Sequence, residues 1–117
     1  MRKSGRLAFA KLKPTDLKKR RAVIMSGMAS TMGSLGYGDS AIYYLDKAIE
    51  IDPDLSTAYY NQSLHYLLHK HDTTRFFELL ETSLVKGIDA GFIYRDDDMK
   101  GMLSDQRMVA LIRRFEE

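Results

Sequence analysis

The sequence predicts an all-α chain of antiparallel helices joined by short loops. Three observations lead there. Apolar residues recur at three- and four-residue intervals along successive stretches. Short polar breaks rich in glycine or proline separate those stretches. No stretch alternates apolar and polar residues for long enough to make a strand.

The first helix is expected from near Asp16 to Ser34, with Pro14 breaking the preceding segment and the Thr15 hydroxyl capping the first turn. Its apolar residues include Leu17, Val23, Ile24 and Leu35, and Met25, Met28 and Met32 fall on one helical face. That methionine stripe reads as core filling before it reads as an adaptable peptide-binding surface. GSLGYGDS, residues 33–40, carries three glycines and makes a turn. Asp39 or Ser40 is expected to cap the second helix, whose stripe is Ala41, Ile42, Leu45, Ala48 and Ile49, and Pro53 ends it. A third helix follows in LSTAYYNQSLHYLLHK. After HDTT, a fourth runs through RFFELLETSLVKG, with Phe76, Phe77, Leu80 and Leu84 on one side and Gly87 as its stop.

A chain of 117 residues suits one domain, and at this size roughly 65% of the unfolded surface can be buried. With 44% hydrophobic and 29% charged residues it reads as a soluble globular protein. Cysteine is absent, so no disulfide framework or thiolate metal site is available. No apolar run reaches signal-peptide or membrane-span length, and a cytoplasmic location is expected. The net charge of +2 conceals an asymmetry. Residues 1–21 hold nine basic side chains (Arg2, Lys3, Arg6, Lys11, Lys13, Lys18, Lys19, Arg20 and Arg21) against Asp16 alone, whereas residues 22–117 are net negative. The organisation is a basic N-terminal arm, residues 1–14, followed by one helical domain, residues 15–117.

Helix pairs invite a search for a repeat. Ala29, Ala41 and Ala48 are small, Met25, Met28, Met32 and Leu45 are large, and Pro53 follows the pair. With AIYYLDKAIEIDPD, this pattern over residues 22–55 resembles the tetratricopeptide repeat, a helix–turn–helix unit of roughly 34 residues. Residues 56–89 resemble a second, degraded repeat: Tyr59, Ser63, Tyr66 and Leu79 fit, while Arg75, Thr82 and Gly87 depart from the small and proline positions. The departures imply looser packing of the fourth helix. Two repeats are fewer than such stacks need, so either residues 90–117 complete the core or two chains pair as a homodimer.

The run YRDDDMKGM, residues 94–102, raises the question of metal. Counted as a calcium loop from Asp96, two positions that require oxygen ligands hold Lys100 and Arg107. The aspartates therefore read as helix caps. Ser104 and Asp105 precede a second short stripe, Met108, Leu111, Ile112 and Phe115. The whole run resembles a C-terminal segment common in bacterial tetratricopeptide proteins, through Asp96, Asp98, Met99, Met102, Asp105, Arg107 and Met108, with Asp97, Gly101 and Gln106 where proline is usual. The resemblance implies that the helix–turn–helix repeats stack as an α-α superhelix and that this segment supplies short C-terminal helices that cap the stack.

Other chemistry is sparse. His65 and His69 stand four apart on the third helix, without a third ligand in sight, and read as exposed histidines near a helix end. No phosphate loop or nucleophile motif is present, and no enzyme, cofactor or metal is expected. Asn61 matches an asparagine that, in co-chaperones of this family, helps clamp a carboxylate. Ser26 and Ser30 stand where the preceding repeat would supply lysine and asparagine, so a helix–helix bond is the expected role of Asn61.

The resemblance implies a protein–protein adaptor that receives a peptide or partner helix on the concave face of helices one and three, with Ser30, Tyr59, Asn61, Gln62 and Tyr66 contributing. The alternative reading is a nucleic-acid- or anionic-membrane-surface-binding module acting through the basic arm. The arm is also basic and acid-poor enough to suggest organelle targeting, against which Pro14 and Asp16 speak.

Overall fold

The computed structural model describes residues 13–116, and every described element is helical. In chain order these are α1 (Pro14–Ser34), α2 (Gly38–Ile51), α3 (Ser56–Leu68), α4 (Thr73–Val85), α5 (Ala90–Arg95), a 3-10 helix (Asp97–Met102) and α6 (Gln106–Glu116). α1 packs on α2 and α4 on α3 as antiparallel hairpins, and α2 and α3 join the hairpins. The described helices include none long and apolar enough to cross a membrane.

The helix starts differ from expectation by small shifts with clear causes. Pro14 does not break the chain but occupies the first helical turn, where its missing N–H is no loss and its fixed φ is already helical. Lys13 is the N-cap, and its backbone N–H donates to Asp16 Oδ2 at 3.3 Å, so Thr15 does not cap. α2 begins one residue before the expected caps, at Gly38, and Asp39 lies in its first turn, paired with Lys70. α4 is capped by Asp72, whose carboxylate accepts from Arg75 N at 3.0 Å. Beyond its C-cap, Lys86, the chain turns away at Gly87, whose φ of 120° only glycine adopts without strain.

The buried stripe of α1 is Ala22, Ser26, Ala29 and Gly33, not the methionines. Met25 and Met32 flank this stripe, while Met28 is 43% exposed and lies outside the core. Small side chains win the interface because they let α1 approach α2 and α3 closely, and longer ones are left at its margins.

Two apolar clusters result. One is alanine-rich: Ala22 and Ala29 from α1, Ala41, Leu45 and Ala48 from α2, Ala58 from α3. The other is built of large side chains: Tyr60, Phe76, Leu80 and Leu84 with Ile93, Met99, Met108, Leu111 and Ile112. Residues from the C-terminal segment thus complete the second core. Asp96 fastens that segment, accepting from Asp98 N at 3.0 Å as the cap of the 3-10 helix and from the Tyr60 hydroxyl at 2.5 Å. Burial and this bond both push the Tyr60 phenol far above its ordinary range, so it stays a donor. Asp97 pairs with Lys100 and Asp105 caps α6 through Arg107 N at 2.8 Å.

Candidate functional site

α3 divides its polar residues between two faces. Asn61, Leu64, His65 and Leu68 follow the three- and four-residue spacing of one face; Tyr59, Gln62 and Tyr66 follow that of another. Only the first face meets α1 across a cavity of about 300 Å³, whose walls include Ser30 and Ser34 from α1 and Asp98 from the 3-10 helix. Ser30 and Asn61 are therefore brought together as expected of a groove.

The other three groove candidates lie elsewhere. Gln62 is 2% exposed, and its amide donates to Asp46 Oδ1 at 2.5 Å, which ties α3 to α2. The Tyr59 hydroxyl donates to the Pro53 carbonyl at 2.7 Å. The Tyr66 ring lies 5.7 Å from the Arg75 guanidinium. Gln62 ties one hairpin to the other, Tyr59 bonds the turn before α3 and Tyr66 meets α4, all on the side away from the cavity, because a two-residue offset on a helix turns a side chain by about 200°.

The cavity is rich in acceptors. Asn61 Nδ2 donates to Ser26 Oγ at 3.1 Å, bridging α3 and α1 and leaving the amide oxygen open. The Ser30 and Ser34 hydroxyls donate to carbonyls of their own helix, Ser26 O and Ser30 O, so their oxygens can only accept more. Asp98 adds a carboxylate, and among the described residues no lysine or arginine lines the cavity. Leu64 and Leu68 supply apolar wall.

His65 is not the exposed histidine expected from sequence. It is 7% exposed, its Nδ1 has no hydrogen-bond partner among the described residues, and its ring stacks on His69 at 5.4 Å. Burial, with His69 beside it, pulls its pKa down to about 4, so it is neutral at neutral pH. Gly33 makes this seat possible: a Cβ there would lie 2.1 Å from His65 Cε1, and one on Gly38 2.7 Å from His69 Cβ. Among the described residues no three histidine or carboxylate side chains gather as metal ligands.

A larger cavity, about 440 Å³, opens between α4 and α6. Its charged walls are already matched: Glu78 with Arg75, Glu81 with Arg114, and Arg107 with Asp105 and over the Phe77 ring at 4.7 Å. It offers a ligand fewer open polar groups than the α1–α3 cavity does.

The basic cluster divides at the edge of the described residues. Arg2, Lys3, Arg6 and Lys11 lie outside them, as does most of the expected arm. Lys13 is the N-cap, and Lys18, Lys19, Arg20 and Arg21 are exposed on α1. Four consecutive helical residues point about 100° apart, so these charges ring the helix instead of forming one basic face.

No family model, curated protein or solved structure matches the chain.

Proposed function

We propose that the chain is a non-enzymatic, tetratricopeptide-like adaptor that receives an extended peptide or partner helix in the concave cavity between α1 and α3. The observation that carries this reading is the acceptor-rich wall: Ser30, Ser34, Asn61 and Asp98 around Leu64 and Leu68, with no lysine or arginine lining it among the described residues. Such a wall favours a ligand with donors, a backbone N–H and a lysine or arginine, beside an apolar side chain. It disfavours an acidic tail, the ligand of the family's carboxylate clamp.

A random peptide library displayed on phage and selected on the full chain tests this at 150 mM salt. Enriched peptides are expected to combine a basic and an apolar residue. Asp98→Lys is expected to weaken the best of them at least about tenfold, which is roughly 1.4 kcal/mol. Tyr59→Ala, outside the cavity, is expected to leave affinity within about twofold. Failure to enrich any peptide, or equal binding by Asp98→Lys, removes the proposal. The reading through the basic arm then returns, with polyanion binding that falls steeply as salt rises.

A further inference from the structure

We propose that the chain pairs with a second copy of itself through the outer face of α1, the two helices running antiparallel. Leu17, Arg21, Ile24, Met28, Thr31 and Leu35 are spaced alternately four and three residues apart, the spacing of a helix–helix seam. Their apolar members are open: Leu17 is 49% exposed, Ile24 62%, Met28 43% and Leu35 67%. Terminal units of a helical stack ordinarily carry a polar outer face, and α1 carries this stripe instead.

The stripe is complementary to itself when the two helices run antiparallel. Laid antiparallel about Ser26, it places Leu17 against the partner copy's Leu35, Ile24 against its Met28, and Arg21 against its Thr31. Every apolar residue meets an apolar one. The Thr31 hydroxyl donates to Gly27 O at 3.4 Å, so its oxygen is free to accept from the arginine. Charge selects the same direction. A parallel pair would stack Lys18, Arg20 and Arg21 on their own copies. The antiparallel pair sets them over the end of the partner helix, where the last turn holds no basic residue and the helix dipole is negative.

The pair would be weak. A helix of 21 residues is about 31 Å long, and one seam of that length falls well short of the ~1,600 Å² of a standard interface. Ser30 and Ser34 lie on a different face of α1, so both concave cavities stay open and the pairing does not depend on the peptide-binding reading.

Sedimentation velocity of the full chain, from about 10 µM to 1 mM, is expected to show a concentration-dependent monomer–dimer equilibrium. Ile24→Lys, at a position already open to water, is expected to weaken it at least tenfold with an unchanged circular dichroism spectrum. Because the chain lacks cysteine, placed thiols report the register. Leu17→Cys mixed with Leu35→Cys should cross-link through a short bis-maleimide, whereas Leu17→Cys alone should not. A chain monomeric throughout that range, an unaffected Ile24→Lys dimer, or cross-linking of Leu17→Cys to itself overturns the proposal. A monomer would leave residues 1–12 or a different protein as the cover of this face.

Discussion

The imidazole of His65 links protonation to folding. In the unfolded chain its pKa is near the ordinary value of about 6.5, and in the fold it is about 4. Between those values the unfolded state binds the extra proton and the folded state does not. Stability is therefore undiminished above about pH 6.5 and falls as pH drops toward 4, by up to roughly 3 kcal/mol from this group. Urea titrations at successive pH values are expected to show that slope, and His65→Leu should flatten it. Gly33→Ala should destabilise by about 1–3 kcal/mol, since its methyl would collide with the ring. Combined with His65→Ala, its cost should shrink, a non-additivity that a double-mutant cycle measures. The repeat resemblance assigns Asn61 and Ser30 to one face, and three- and four-residue spacing from Asn61 leads to Leu64, His65 and Leu68. Gln62 was misplaced because adjacent residues were grouped by sequence, whereas a single step along a helix turns the side chain by about 100°.

Among elements, the C-terminal cap depends on one bond at a distance. Tyr60 and Asp96 are thirty-six residues apart, and no local pattern announces their contact. Tyr60→Phe keeps the ring against Phe92 and removes only the hydroxyl, so a loss of about 1.5–3 kcal/mol is expected, read from the urea midpoint. Asp96→Ala should be worse, because it also removes the cap of the 3-10 helix. The long helices were legible because their stripes repeat over several turns. α5 was not: with six residues and one buried side chain, Ile93, it has no period to detect. The methionine stripe misled for a related reason. Periodicity identifies faces, but at α1 the face that packs is the one with the smallest side chains, and only the approach distance of the neighbouring helices decides that.

At the scale of the molecule, the all-α class follows directly from the pattern, and so does the demand for something beyond two helix pairs. The stripe Met108, Leu111 and Ile112 was legible within residues 90–117, but its packing partners were not, because they are Tyr60, Phe76, Leu80 and Leu84 of α3 and α4. Ending the chain before Gln106 would strip three buried residues from the larger cluster. Circular dichroism is expected to show a truncated chain with helix but no cooperative thermal transition.

The two clusters share only α3, which gives Ala58 to one and Tyr60 to the other. Alanine brings little apolar surface, so opening the α1–α2 half forfeits less burial than opening the rest. Amide exchange should then run on two clocks. Protons of α1 and α2 exchange through a partial opening, while those of α4 and α6 wait for global unfolding. A peptide bound against both Ser30 and Asp98 would tie the fast half to the slow one and bring the two rates together.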